Sequence, residues 1–134
     1  MQQVIEQNNG DVDAVIAAND GTAGGAIHAL SNEGLAGNVP VSGQDAELSA
    51  LQRIVQGTQT LTIYKPIKLL AENAAELAIQ LTNNDTINTE NTINNGMKDV
   101  PATLLEPTTV TKDNIDETII ADDYYTAEEI YGKD

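Results

Sequence analysis

The sequence predicts a parallel α/β fold. Strand-like apolar runs alternate with amphipathic helical stretches from Asp13 to Leu81, the pattern of repeated strand–helix units. The first run, Asp13 to Ala18, is continuously apolar after its opening aspartate, as in a strand covered on both faces. Each run stops at a polar turn, namely Asn19-Asp20-Gly21, Gly43-Gln44-Asp45 and Lys65-Pro66.

Taken in order, Thr22 to Leu30 has helical character, and Gly34 is a natural C-terminal stop. Val39 to Ser42 is a short second strand. The helix after it carries Leu48, Leu51, Ile54 and Val55 at core spacing and closes at Gly57. Thr60 to Tyr64 alternates as a third strand, and Pro66 suits the first turn of a third helix. That helix places Ile67, Leu70, Ala71, Ala74, Leu77, Ala78 and Leu81 in one apolar stripe. Thr82 to Asn95 is rich in Asn and Thr and reads as a loop with one short strand near Thr92-Ile93. Val100 to Val110 holds two prolines and has extended, crossing character. Asp113 opens a short helical stretch through Ile115, Ile119 and Ile120, and the acidic tail from Asp122 is expected to be exposed. Three or four strands with their helices make a thin core, so the chain reads as part of a larger fold.

The 134 residues carry 21 acidic and 6 basic side chains, a formal net charge of −15. That field repels nucleic acid and anionic membrane surfaces, so neither is expected as a partner. The absence of cysteine excludes disulfides, thiolate chemistry and Cys-based zinc sites. No stretch is apolar enough to span a bilayer. Met1-Gln2-Gln3-Val4 lacks the basic and apolar regions of a signal peptide, so the expectation is either a cytoplasmic chain or one without its true N-terminus. Aromatic residues are 3% of the chain, with no Trp or Phe. A stacking ring would have to come from elsewhere or from a tyrosine.

Ligands of open parallel sheets bind beyond the carboxyl ends of the strands. Asn19, Asp45 and Lys65 fall there, one after each strand. Asp45 can accept two hydroxyl hydrogen bonds, Asn19 can donate and accept, and Lys65 can donate. This set suits a neutral polyol, and Asp45 would repel a phosphate. Each has a plainer reading. Asp45 can be the N-cap of the helix it precedes, and for Asp20 the N-cap is the preferred role. Asn19 can be an ordinary turn residue. Lys65 can be a solvated lysine, although a cation at a helix start opposes the helix dipole.

Other chemistry finds little support. Gly21, Gly24 and Gly25 make neither a G-x-G-x-x-G nor a Walker loop and read as helix–strand packing positions. His28, the one histidine, has no zinc-ligating companion and is expected to be an exposed or half-buried helix residue. No serine stands in a nucleophile elbow, and Glu128-Glu129 is a solvated pair. Asn84-Asp85-Thr86 matches a glycosylation sequon only weakly. No cofactor is expected, and no enzyme activity.

The run Ala17-Ala18-Asn19-Asp20-Gly21-Thr22-Ala23-Gly24-Gly25-Ala26-Ile27 resembles a motif of type I periplasmic sugar-binding proteins, as does Val41-Ser42-Gly43-Gln44-Asp45-Ala46-Glu47. Gly57 to Ile67, together with Asn94-Asn95-Gly96-Met97-Lys98-Asp99-Val100-Pro101, is similar to the D-xylose-binding branch. The resemblance runs from about Asp13 to about Ile120. It implies the C-terminal portion of a two-lobed protein that closes on a sugar by a hinge. Residues 1–64 would be part of the C-terminal lobe. Residues 65–103 would hold a hinge crossing and part of the N-terminal lobe, and residues 104–134 the return crossing and tail. By the same resemblance Asn19, Asp45 and Lys65 contact sugar hydroxyls, and lysine, where ribose-binding relatives carry Gln, favours a xylose-type site. The family's stacking aromatics and arginine contacts lie mostly upstream of these residues.

What the resemblance implies about function is a monosaccharide receptor, most nearly for D-xylose, serving the membrane permease of an ATP-driven importer. The alternative is an extracellular sensor that reports xylose to a membrane histidine kinase. A repressor effector domain shares the fold, but it needs a basic DNA-binding headpiece and the acidity opposes it. The expected location is periplasmic or extracellular and membrane-tethered, with the signal or anchor segment absent from this chain. An orphaned helix over residues 66–81 and an unpaired sheet edge predict self-association of this portion alone.

Overall fold

The computed structural model describes residues 1–87, 89 and 91–132. In chain order the elements are α1 (Gln2–Gln7), β1 (Val15–Ile16), α2 (Asp20–Asn32), β2 (Val41–Ser42), α3 (Leu48–Gln56), β3 (Thr62–Tyr64), α4 (Ile67–Thr82), β4 (Asn91–Asn94), β5 (Asp99–Ala102), β6 (Thr108–Val110), a π-helical turn (Asp116–Ile120) and α5 (Ala127–Tyr131). They form two compact units, Met1–Lys65 with Thr108–Asp134, and Pro66–Pro107.

The first unit holds the expected parallel sheet. β1 pairs with β2, Val15 opposite Val41 and Ile16 opposite Ser42. β2 runs parallel to the entry of β3 through the Ser42–Leu61 bridge, where the Gly43 N–H donates to the Leu61 carbonyl at 3.0 Å. β6 then joins β3 antiparallel, Thr62 opposite Val110 and Tyr64 opposite Thr108, so the crossing segment ends as a strand of this sheet. Two apolar clusters cover it. One gathers Leu51, Ile54, Tyr64, Val110, Ile115, Ile119 and Ile130. The other gathers Ile5, Ala23, Ile27, Leu30, Val39 and Val41.

Several expectations are corrected here. β1 keeps only two residues of the apolar run, and Ile16 is 92% exposed, because nothing described lies over that face of the strand. The tail's acidic residues Asp122, Asp123, Glu128 and Glu129 are exposed as expected, but the tail is also anchored to the core. Thr126 and Glu129 form a reciprocal capping box that starts α5, Gln52 of α3 donates to the Glu129 carbonyl at 2.9 Å, and Ile130 is buried at 3% exposure. Lys133 and Asp134 of that tail lie outside the described residues. Gly24, read as packing on a strand, instead faces Arg53, whose guanidinium would lie 3.2 Å from an added Cβ, while a Cβ at Gly25 would meet nothing. His28 is exposed.

In the second unit α4 forms as expected, with none of its residues buried. Ile67, Leu70, Ile79 and Leu81 are exposed apolar side chains. The single strand expected near Thr92 is one arm of a hairpin, β4 with β5, Asn91 opposite Ala102 and Asn94 opposite Asp99. Asn95 closes its turn, its Oδ1 accepting from the N–H groups of Met97 and Lys98. Pro101 sits in the second arm, which a two-stranded ribbon tolerates because both strands are edges. Asn88 and Glu90, within the stretch expected as a loop, lie outside the described residues.

Candidate functional site

The three parallel strands deliver their carboxyl ends to one edge of the sheet, and Asn19, Asp45 and Lys65 follow them there. Asn19 is the N-cap of α2. Its Oδ1 accepts from the Thr22 N–H at 2.8 Å and from the Thr22 hydroxyl at 2.9 Å, while its own N–H donates to the Thr22 hydroxyl at 3.2 Å. The oxygen is therefore committed to the helix start, satisfying a donor that would otherwise be orphaned. The Asn19 Nδ2 has no protein acceptor among the described residues, so the free capacity of this side chain is that of a donor.

Asp45 is not a helix cap. The N-cap of α3 is Glu47, which makes no side-chain capping bond. Asp45 instead points its carboxylate at Lys65, with Oδ1 2.6 Å from Nζ. The two side chains are 42% and 53% exposed, so solvent screens the pair, and its net contribution to stability is about 0–1 kcal/mol. Both groups keep open hydrogen-bonding capacity facing water. Lys65 stands ahead of Pro66, the N-cap of α4.

The backbone under Asp45 is unusual. Asp45 has φ +99° and Ala46 φ +51°, left-handed values that non-glycine residues adopt rarely and at a cost. The turn is held at each residue. The Asp20 N–H donates to the Gln44 carbonyl at 2.9 Å, and the Asp45 N–H to the Ile63 carbonyl at 2.9 Å. The Ala46 N–H donates to Thr62 Oγ1 at 3.2 Å, and the Glu47 N–H to Asp20 Oδ2 at 2.9 Å.

Asp20 is the residue the sequence reading placed wrongly. It is the first residue of α2, behind the cap, and it is fully buried. Its carboxylate accepts from Gln59 Nε2 at 2.8 Å, Thr62 Oγ1 at 2.8 Å and the Glu47 N–H at 2.9 Å. Arg53, the chain's one arginine, donates to Gln59 Oε1 at 3.0 Å and to the Asp20 carbonyl at 2.9 Å. Gly43 makes room for this cluster, since a Cβ there would overlap Asp20 Oδ1. Each buried donor stripped of its acceptor would cost about 1–3 kcal/mol.

Beside the site lies a tyrosine cluster that the sequence reading did not single out. The Tyr64 and Tyr124 rings are 4.9 Å apart, and those of Tyr124 and Tyr125 4.8 Å. Tyr64 donates to Asp122 at 2.8 Å; burial and that carboxylate push its phenol well above the usual value. Tyr124 is raised too, by burial first, then by Tyr125 and by the charge of Asp45. The spacing of Tyr124-Tyr125 near the C-terminal end of the chain offered no signal for this, because the cluster forms only when β6 brings the tail back beside β3. Among the described residues no group of His, Cys, Asp and Glu could hold a metal ion, and no helix is long and apolar enough to cross a membrane.

Residues 1–86 match the periplasmic binding protein domain. The chain is 54% identical over 131 residues to the D-xylose-binding periplasmic protein of Haemophilus influenzae, covering 98% of this chain and 40% of that protein. It is 52% identical over 130 residues to the D-xylose-binding periplasmic protein of Escherichia coli K12, with 97% and 39% covered. Among solved structures it is similar to a carbohydrate transporter solute binding protein from Chloroflexus aurantiacus in complex with D-glucose (TM-score 0.79, 33% identity, 96% of this chain and 40% of that one). It is also similar to an ABC transporter solute binding protein from Clostridium phytofermentans with bound β-D-glucose (TM-score 0.81, 26% identity, 96% and 41% covered). The chain thus spans about two-fifths of the length of the curated relatives it matches. The resemblance carried by the Asn19 and Asp45 motifs holds across the chain, which belongs to the periplasmic binding protein family and has its type I fold.

Proposed function

We propose that this chain supplies part of the sugar site of a two-lobed monosaccharide receptor, which binds D-xylose without transforming it and hands it to the permease of an ABC importer. The unit Met1–Lys65 with Thr108–Asp134 would be part of the C-terminal lobe, and the unit Pro66–Pro107 part of the N-terminal lobe. Tyr64 to Pro66 and Leu104 to Thr108 would be two of the crossings between lobes. The periplasm, or the cell exterior, is the location this role requires. Importer rather than sensor is favoured because the solved neighbours with bound D-glucose are solute-binding proteins of transporters.

The observation that carries this reading is the grouping of Asn19, Asp45 and Lys65 beyond three successive parallel strands, with Asp45 and Lys65 paired and half exposed. In this arrangement Asp45 accepts hydrogen bonds from two sugar hydroxyls, and Lys65 and the Asn19 amide donate to sugar oxygens. Lys65 also balances the Asp45 charge, which lowers the cost of covering the carboxylate when a sugar displaces water. The aromatic face of the sugar site must come from upstream residues or from the nearby tyrosines.

Calorimetric titration of D-xylose, D-ribose and D-glucose into the full-length protein that carries residues 1–134 tests the proposal. D-xylose is expected to bind most tightly. Asp45→Ala removes two bonds to a charged acceptor, worth about 1.5–3 kcal/mol each, and should weaken binding by roughly 100-fold or more. Failure of all three sugars to bind would reduce the Asp45–Lys65 pair to a surface contact.

A further inference from the structure

We infer that buried Asp20 is the positioning residue of this site: its carboxylate holds Asn19, Asp45 and Lys65 in register, without touching the ligand. The inference rests on the sugar-site reading above. Asp20 is fully buried, so it cannot be a contact residue. Yet its bonds reach each of the three segments that carry the site. Asp20 adjoins Asn19 in the chain. Its N–H binds the Gln44 carbonyl and its Oδ2 binds the Glu47 N–H, so one side chain and its own backbone grip both ends of the left-handed pair Asp45-Ala46. Thr62, three residues before Lys65 on β3, donates to the same Oδ2.

This arrangement is more than core glue. Two adjacent non-glycine residues in left-handed backbone persist only where their surroundings over-determine them, and Asp20 provides two of the four hydrogen bonds that do so. A carboxylate is required chemically. Three donors converge on it, from Gln59, Thr62 and the Glu47 backbone, and an ionised carboxylate is the one side chain of this size that only accepts. An asparagine there must turn its NH₂ towards either the Gln59 amide or the Glu47 N–H, donor against donor.

The test uses the full-length protein carrying residues 1–134, D-xylose as the probe, and two readouts: calorimetric affinity and amide hydrogen exchange at Ala46 and Glu47. Asp20→Asn should weaken binding by about 10- to 100-fold, the scale on which a misplaced binding group costs, and should speed exchange at both amides. Adding Gln59→Glu returns an acceptor facing the NH₂ that Asp20→Asn introduces and pairs that acceptor with Arg53, at the loss of the bond from Gln59 Nε2 to the Leu61 carbonyl. The double variant should bind more tightly than Asp20→Asn alone and regain part of the exchange protection, short of wild type because the Leu61 carbonyl has lost its donor. Exchange at Ala46 and Glu47 reports the Asp45-Ala46 turn itself, which a loss of global stability alone would not single out. Ile5→Val, in the other apolar cluster, which holds none of these residues, should lower Tm and leave affinity unchanged. If Asp20→Asn does not fold, Thr62→Val removes one arm and should weaken binding by about threefold or more with faster exchange at Ala46. Wild-type affinity and exchange in a folded Asp20→Asn or Thr62→Val protein would overturn the inference and leave the sugar-site reading intact. No sugar binding by the wild type would sink that reading, and this role with it.

Discussion

At the residue scale, the tyrosines that close the tail set an alkaline limit. Tyr131 donates its hydroxyl to Asp116 Oδ1 at 2.5 Å, and burial together with that carboxylate pushes its pKa from 10.0 up to about 12. Tyr64 is raised as well, by burial and Asp122. A raised folded-state pKa means that the folded protein holds a proton the unfolded chain releases. The resulting stabilisation is complete below about pH 10 and is lost as pH climbs towards 12. Tm is therefore expected to fall across that window, and Tyr131→Phe should flatten part of the fall, as followed by circular dichroism between about pH 8 and pH 12. An identical slope in the variant would exclude Tyr131 as a contributor. Glu129 carries the opposite sign. The Thr126 N–H and hydroxyl hold its carboxyl below 4.5, so the cap it completes is present above that value and lost on acidification.

At the element scale, α5 shows how a five-residue helix survives. Segments this short do not form in water unaided. The capping box satisfies the first N–H groups, and Ile130 is inserted into the cluster of Leu51, Ile54, Ile115 and Ile119. Ile130→Ala should destabilise the protein by about 2–5 kcal/mol, through lost burial and the cavity left behind. Thr126→Ala should cost about 1 kcal/mol. Urea denaturation of both variants checks the ranking, and equal losses would mean that the tail is held by its cap rather than by packing. α3 meets the same demand differently. It stops at Gly57, whose φ of +82° is the left-handed C-cap that glycine adopts without penalty.

At the scale of the whole molecule, α4 is the exception. It is the longest helix among the described residues, and none of its side chains is buried. Leu70 and Leu81 lie on one stripe at more than half exposure. A contiguous apolar face of this kind drives association in water. The 134-residue chain by itself is therefore expected to be dimeric or larger in light scattering, and Leu70→Lys with Leu81→Lys should shift it towards monomer. A folded, strictly monomeric wild type would refute this. The same chain alone is expected to bind D-xylose far more weakly than the D-xylose-binding periplasmic proteins it matches, because it spans about two-fifths of their length. Equal affinities would show that residues 1–134 hold a complete site.

Much of this was open to local reading. The helices over Asp20–Asn32, Leu48–Gln56 and Ile67–Thr82 follow from apolar spacing and from Gly34 and Gly57, and the parallel order of β1, β2 and β3 follows from the strand–helix alternation. Those signals lie within a few turns of the residues that express them. The carboxyl-end positions of Asn19, Asp45 and Lys65 were legible for the same reason, since each follows its own strand directly. What the tertiary structure alone decided was which polar groups are buried and with whom. Asp20 reads as a cap because its neighbours are turn residues. Its partners Glu47, Gln59 and Thr62 lie 27, 39 and 42 residues away, and no local pattern reports a bond across that distance. The burial of Ile130 and the left-handed Asp45-Ala46 turn were hidden likewise, because each is imposed by elements distant in sequence. Periodicity records which face of an element is apolar; only the assembled sheet determines where a buried charge finds its donors.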